Sequence, residues 1–360
     1  MKKIIKRLSF SILILIITYI TVKMAKNNNE FIETFYSGRL YPAISQNVSF
    51  VFSWLPYSVG EIILTIGILS LIVLMISFIK RPSLVYLFDI FSKIVVTSAI
   101  LYFTFWIVWG LNNFRLPLEK NLGYEVEKLT TQDLNETAVY LIERINELEG
   151  QMVFDEDKLP VYHGDTQEIL KYSKVYFDNF AKNHSFLTTG RYSRPKPMIY
   201  SEVMSHLNYT GIYNPFTAEA NLNVEIPHHS IPFVALHEIS HQRGIAGERE
   251  ANFIAFLASV ESNDYYFEYS GYVSALNYIV NAVYSEDKDM YFELVELFSL
   301  NLRAVYRTNA EYWQNYQTVV SDIGEINNDI FLKSTGQNEG TKSYGLVVDL
   351  IASYVKMKKA

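Results

Sequence analysis

Three stretches of the chain carry almost no polar residues. Leu8–Val22 follows a basic start of Lys2, Lys3, Lys6 and Arg7; Val59–Ile79 is broken only by Glu61; Ile94–Leu111 is uncharged and contains Trp106 and Trp109 near its end. A helix needs about 20 apolar residues to cross a bilayer core, and aromatic rings favour its edges. The pattern predicts transmembrane helices at about 8–24, 59–79 and 94–111. The first has the basic start and apolar middle of a signal peptide. It runs on as Lys23-Met24-Ala25-Lys26 with no small-x-small cleavage site, which predicts an uncleaved anchor. The ends Glu61 and Lys93 are read as side chains that snorkel to the interface.

From Asn112 onward the period changes to that of amphipathic helices. Ala138, Leu141, Ile142, Ile145 and Leu148 form one stripe over 130–150, with Thr130 and Asp133 as a capping box and Gly150 as the stop. A second helix is expected from about Thr166 to Lys182, with a strand somewhere in Gln151–Tyr162 between the two. The segment 185–230, rich in Pro, Gly, Asn and Thr, predicts short strands at Met198–Tyr200, Gly211–Tyr213 and Asn221–Ile226. After Pro232 helices are expected at 231–242, 248–262, 268–284, 288–315 and 343–358. Strands first and helices later give an α+β class: three N-terminal membrane helices in 1–111, then a mostly helical domain with a small sheet in 112–360.

Charge divides the chain at the same place. Residues 1–111 hold 10 Lys and Arg against 4 Asp and Glu, whereas the whole chain carries a net charge of -7, so the remainder is strongly acidic. An acidic domain lacks the clustered cations that phosphate binding needs, which excludes nucleic acid as a partner and leaves the lipid bilayer. Lys80, Arg81 and Lys93 flank the connection between the second and third segments, while 26–58 has only Lys26 and Arg39. Positive charge stays inside, so the N-terminus is expected in the cytoplasm and residues 112–360 outside, on a multi-pass cell-membrane protein. There is no cysteine, which removes disulfides, thiolate metal sites and thiol catalysis.

The chemistry lies in His237-Glu238-Ile239-Ser240-His241, an H-E-x-x-H. Four helical residues advance about 6 Å and slightly more than one turn, so both imidazoles leave one face and can share a Zn²⁺ ion. Glu238, beside them, can serve as the general base for a metal-activated water. Ser230 is expected to cap this helix, Pro232 to occupy its first turn, and Gly244 to end it. A third ligand is needed. Glu248 would place Asn252 one turn later on the same face, within reach of a ligand histidine, with Ala255 and Ser259 as small packing residues. Glu250 would share its face with Phe253, Ile254 and Leu257, which reads as core; Glu248 is the preferred ligand. Asn221–Val224 could be an edge strand that pairs with extended substrate. His228 and His229 read as a solvated loop, and Tyr269, Tyr272 and Arg303 are candidates to stabilise an oxyanion.

H-E-x-x-H followed by Glu248 in E-x-x-A-N resembles the zincin metallopeptidases, and among them the glutamate-ligand gluzincins. There the second helix usually reads E-x-x-A-D or E-x-x-x-D; here Asn252 replaces the Asp, and only six residues separate His241 from Glu248. The third-histidine position of metzincins is Gly247 in this chain, so that branch does not fit. Gly211–Asn221, His237–Gly244 and Glu248–Phe253 resemble more closely a family of uncharacterised bacterial multi-pass membrane proteins with a zincin-like domain, a likeness extending over nearly the whole chain. The resemblance implies fold and metal; that family has no established substrate to lend.

The expected function is a membrane-anchored zinc metallopeptidase: His237, His241 and Glu248 bind Zn²⁺, and Glu238 is the catalytic base. Its substrate would be a peptide or protein of the cell envelope. Two alternatives remain at this stage: an envelope binding or assembly protein that keeps a zinc site without turnover, and a zinc hydrolase of non-peptide amides.

Overall fold

Small residues seven apart decide how the first and third apolar helices meet. The computed structural model describes residues 1–80, 82–123, 126 and 129–359. In it α1 (Lys2–Lys26) buries Ile4, Ser11, Thr18 and Ala25, and α5 (Leu84–Val108) buries Ser92, Ala99 and Trp106. A seven-residue repeat keeps one narrow seam facing the partner helix, and short side chains let the backbones approach. The Ser11 and Thr18 hydroxyls donate to carbonyls one turn back, at Arg7 and Ile14, so no polar group is stranded in the seam.

Between these come α2 (Asn29–Phe31), a π-helix over Ile32–Leu40, α3 (Tyr41–Phe52) and α4 (Val59–Lys80). Helices α1, α4 and α5 are the three, among the described residues, long and apolar enough to cross a membrane. α4 matches the expected 59–79 closely, and α1 covers the expected 8–24 but starts at Lys2. The third begins at Leu84 rather than 94 and ends at Val108, with Trp109 and Leu111 beyond it. Its extra turns contain Asp89 and Lys93, which pair at 2.8 Å, while Arg7 of α1 reaches Asp89 at 2.6 Å. Mutual neutralisation lets the helix extend through charges that the hydropathy pattern reads as its limit. Arg81 lies outside the described residues.

Past Glu61 no residue of α4 is buried, and its three buried residues, Val59, Gly60 and Glu61, lie at one end. There the main-chain N–H groups of Val59 and Gly60 donate to the Glu219 carboxylate at 3.2 and 3.0 Å, and Lys196 pairs with Glu219 at 2.5 Å in full burial. Glu61 accepts the N–H groups of Ile199 and Tyr200 at 2.8 and 3.0 Å, so it is a buried clamp rather than a snorkelling side chain. A carboxylate at a helix start satisfies donors that the helix itself leaves open.

The remaining helices are α6 (Leu118–Leu122), α7 (Thr131–Glu149), α8 (Thr166–Lys182), α9 (Ser201–His206), α10 (Ile231–Gln242), α11 (Glu248–Val260) and α12 (Tyr265–Glu286). They continue with α13 (Lys288–Glu296), α14 (Leu300–Gln314), α15 (Val319–Thr335) and α16 (Val348–Lys359). The Thr130–Asp133 capping box forms as the sequence predicts. The expected helix 288–315 is cut in two, because the Ser299 hydroxyl accepts from the Leu302 N–H and starts a new helix. Helices α3, α9 and α15 were not anticipated, and the last expected helix begins as a 3₁₀ segment over Gly340–Val347.

A three-stranded sheet, β1 (Lys196–Pro197), β2 (Gly211–Asn214) and β3 (Glu219–Leu222), runs in the order β1-β3-β2, with β3 parallel to β1 and antiparallel to β2. β3 is therefore central, which corrects the reading of Asn221–Val224 as an exposed edge; β1 and β2 are the edges. The strand expected within Gln151–Tyr162 reduces to one bridge, Phe154 to Pro160. A mostly helical chain with one small sheet is consistent with α+β.

Every residue of α10 is buried, between α8, α11, α12 and the β2–β3 hairpin. A helix enclosed on all sides that still carries His, Glu and His must satisfy those groups internally.

Candidate metal centre

α10 starts differently from the expectation. The Ser230 side chain makes no cap; the Ser270 hydroxyl of α12 instead accepts the Phe233 N–H at 3.2 Å, while Pro232 does occupy the first turn. The helix stops where expected, with Gly244 at φ +85. A Cβ there would meet the Tyr41 ring at 2.9 Å, so this left-handed turn requires glycine on both conformational and steric grounds. The turn then delivers Glu248 at the start of α11, opposite the two histidines.

The three groups converge. His237 Nε2 and His241 Nε2 are 3.0 Å apart, and Glu248 Oε2 lies 3.2 Å from the first and 3.5 Å from the second. Four-coordinate zinc with bonds near 2.1 Å has ligand atoms about 3.4 Å apart, and this triangle has that size. His241 Nδ1 donates to the Ile245 carbonyl at 2.7 Å, which leaves the Nε2 lone pair turned toward the triangle. Glu248 Oε2 and His237 Nδ1 are buried without hydrogen-bond partners. Two imidazole nitrogens and an orphaned carboxylate oxygen facing one another in burial fit a cation, and His237, His241 and Glu248 form a group that can hold a metal ion.

The electrostatics of the cluster agree. Burial alone would raise Glu248, but the two imidazoles beside it hold it well below the usual carboxylate range. Burial would depress His241, yet Glu248, Glu238 and the Ile245 carbonyl outweigh that and push it up to about 9. For His237 burial wins and the shift is downward. Burial, reinforced by Glu248 and opposed by His241, pushes Glu238 up to about 8. Large opposed shifts in one enclosed cluster mark a site rather than a solvated helix face.

Glu238 lies against the edge strand. A Cβ on Gly211 would come within 2.5 Å of Glu238 Oε1 and 2.8 Å of its carboxyl carbon, so the bare backbone at the start of β2 is what gives the carboxylate its room. A cavity of about 260 Å³ opens beside Glu238 and His237, walled by Thr210, Gly211 and, from α15, Glu325 and Asn328. A second, of about 410 Å³, reaches His237 from the other side past Asn252, Phe233, Val273, Tyr278 and Trp313.

Other expectations resolve plainly. Asn252 lies beside His237, where its side chain favours the imidazolium. Glu250 is turned to Arg249, 3.2 Å away, and takes no part in the cluster. His228 bonds Tyr266 at 2.7 Å and His229 is buried, which corrects the solvated-loop reading. Tyr269 donates to Glu149, Arg303 binds carbonyls of its own segment, Tyr272 packs beside Phe256, and none of the three lines either cavity. Tyr209 lines the smaller cavity, and Tyr306 and Tyr278 the larger; burial and the charge of Glu248 raise the hydroxyl of Tyr278. Among 27 tyrosines no local pattern distinguished them.

The frame of the site comes from the N-terminal third. Trp109 Nε1 donates to the His241 carbonyl at 3.1 Å, Tyr41 Oη to the Gln242 carbonyl at 2.9 Å, and Arg115 to the Gly244 carbonyl at 3.2 Å. The His241 and Gln242 carbonyls belong to the last turn of α10 and the Gly244 carbonyl to the turn that follows it.

Fold and site together define a mostly helical protein whose apolar N-terminal helices brace a buried His-His-Glu centre able to hold a metal. The chain belongs to the family described as Protein of unknown function (DUF3810), whose model matches residues 36–352. No curated protein and no solved structure matches it.

Proposed function

We propose that the protein is a membrane-anchored zinc metallopeptidase, with α1, α4 and α5 spanning the membrane, the N-terminus in the cytoplasm and the metal centre on the outer side. The observation that carries this reading is the 3.0, 3.2 and 3.5 Å triangle of His237, His241 and Glu248, with Glu238 next in sequence to the first ligand and facing a cavity. Three groups able to hold a metal beside Glu238 support the reading, which the motif's resemblance to zincins with a glutamate third ligand implies.

His237, His241 and Glu248 would hold the metal, and cavities open beside His237 and Glu238. Bound zinc supplies Lewis-acid activation of water and of a scissile carbonyl. Glu238 accepts the proton that the attacking water gives up and returns it to the departing amine. For this the carboxylate has to be ionised at neutral pH, and a divalent cation beside it would favour that form, opposing the burial that raises it. Substrate would lie along the edge strand β2, which among the described residues pairs with a strand, β3, on one side.

The test is Glu238→Gln in the full-length protein. The variant is expected to keep about one zinc per chain and to lose cleavage of envelope polypeptides by about 10³-fold or more, by comparison of surface proteomes and by assay of the purified protein. A variant that retains cleavage overturns the role of Glu238. An envelope phenotype that depends on His237 and His241 but is indifferent to Glu238→Gln would mark a binding protein.

A further inference from the structure

Helix α15 shows the wrong face to water. Val319, Ile323, Ile326 and Ile330, at spacings of four, three and four, form one stripe; Ile326 is 58% and Ile330 60% exposed. The opposite face is the packed one: Gly324 sits against the Leu207 carbonyl so closely that a Cβ would fall 2.1 Å from it, and Leu332 and Thr335 are buried. An amphipathic helix turned inside out has its apolar stripe free for another partner.

Two contacts say which partner. Phe331 of α15 packs edge-on against Phe105 with centroids 6.0 Å apart, and Phe105 is one turn inside the Val108 end of α5. On the other side of the site, Tyr200, immediately before α9, lies 3.3 Å by its hydroxyl from that of Thr65, more than a turn inside the Val59 end of α4. Beside it Ile199 and Val203 are exposed. α9 and α15 pack together and so bridge the outer ends of two apolar helices, the contacts at Phe105 and Thr65 lying about 5 and about 9 Å below those ends. That is the depth of the interfacial layer, where aromatic rings and amphipathic helices settle. The stripe is flanked by Asp322 and by the Asp329–Lys333 pair at 2.7 Å, so attachment would be apolar rather than driven by anionic lipid.

We propose that α9 and α15 rest in the outer surface of the bilayer, and that the metal centre therefore acts on polypeptide segments where they emerge from a membrane anchor. The first half rests on α1, α4 and α5 spanning the membrane, the second on the metallopeptidase reading. The geometry joins them: Glu325 and Asn328 of α15 wall the cavity at Glu238, and His241 is one hydrogen bond from Trp109, the residue after α5.

The absence of cysteine makes the test clean. Ile326→Cys and Ile330→Cys, each labelled with the fluorophore NBD, are placed in full-length protein in phosphatidylcholine vesicles. Leu71→Cys in the middle of α4 is the buried-in-lipid control and Glu293→Cys on α13 the aqueous one. Labels at 326 and 330 are expected to be quenched by doxyl-labelled phosphatidylcholine and to emit further to the blue than the label at 293. Quenching at 71 but not at 326 and 330 overturns the interfacial helix while the spans stand; no quenching at 71 overturns both. Separately, fragments whose release requires Glu238 are expected to be cut within about 10 residues of an anchor, the reach of a short extended segment. Glu238-dependent cuts far from any anchor overturn the substrate class and leave the peptidase reading intact. The absence of any Glu238-dependent cut overturns that reading, while the vesicle result still decides α15.

Discussion

Trp109 and His241 are joined twice: the indole N–H donates to the histidine carbonyl at 3.1 Å, and the rings meet edge-on with centroids 6.1 Å apart. A residue that closes an apolar helix thus fixes the main chain of a residue in the cluster able to hold a metal. Trp109→Phe keeps the ring contact and removes one hydrogen bond to a buried carbonyl. It is expected to cost about 1–3 kcal/mol of stability and to weaken zinc binding about 10-fold or more, read by thermal unfolding in detergent and by competition with a chelator.

The same braces bear on where the protein can be cut. Tyr41 sits against Gly244 and donates to the Gln242 carbonyl, and Ser37 donates to Asn112 at 2.7 Å. Residues 112–360 expressed alone would leave these carbonyls without donors, and would strip Tyr213 and Ala246 of the apolar cluster they form with Tyr41, Trp106 and Trp109. The fragment is expected to bind less than a tenth of the zinc bound by the full chain, measured by metal analysis after gel filtration; a fragment that folds and holds zinc equally well would show the brace to be dispensable.

Glu248 and Glu250 provide the sharpest contrast in ligand choice. Glu248→Ala removes one vertex of the triangle and is expected to lose most bound zinc. Glu250→Ala leaves the triangle whole and is expected to retain it, since Glu250 faces Arg249. Zinc content of the two purified variants decides the assignment. The reverse result would move the third ligand to Glu250.

Much of this centre was legible because it is local. The two histidines and Glu238 share one helix; Gly244 and the short connection that follows deliver Glu248; Pro232 and the Thr130–Asp133 box mark helix starts within a few residues of what they control. What escaped depends on distant partners. Glu61 looked like a snorkelling charge because the N–H groups it accepts belong to Ile199 and Tyr200. α3 was invisible because Tyr41 finds its contacts at Tyr213, Gln242 and Gly244. α15 carries its apolar residues outward, so no core-facing stripe announced it. The edge strand was misassigned because short segments of similar composition do not encode their order in a sheet.

Acid stability should depend on His229. Burial pushes this imidazole down to about 4, against about 6.5 in an unfolded chain. A depressed folded-state value means that the unfolded chain binds the proton first. The stabilisation is therefore complete above pH 6.5 and is lost as pH falls toward 4, on the order of 3 kcal/mol in all. His229→Gln, which cannot take up that charge, is expected to flatten the fall in unfolding temperature between pH 6.5 and 4. An equally steep fall in the variant would assign the acid sensitivity to other groups.

The buried Lys196–Glu219 pair separates a structural role from a chemical one. Glu219→Ala strands the Lys196 ammonium at 2% exposure and frees the N–H groups of Val59 and Gly60. Loss of one partner from a buried pair costs about 3–5 kcal/mol. Replacing both, as Lys196→Met with Glu219→Leu, removes the stranded charge but leaves the start of α4 uncapped. The double variant is therefore expected to recover only part of the loss. Gly211→Ala should behave in the opposite way: its methyl displaces the Glu238 carboxylate without touching a ligand. Unfolding temperature and zinc content would stay near those of the parent protein while kcat falls roughly 100-fold, the scale of a 1 Å misplacement of a catalytic group. An unchanged kcat in that variant would mean that Glu238 does not act from the position beside β2.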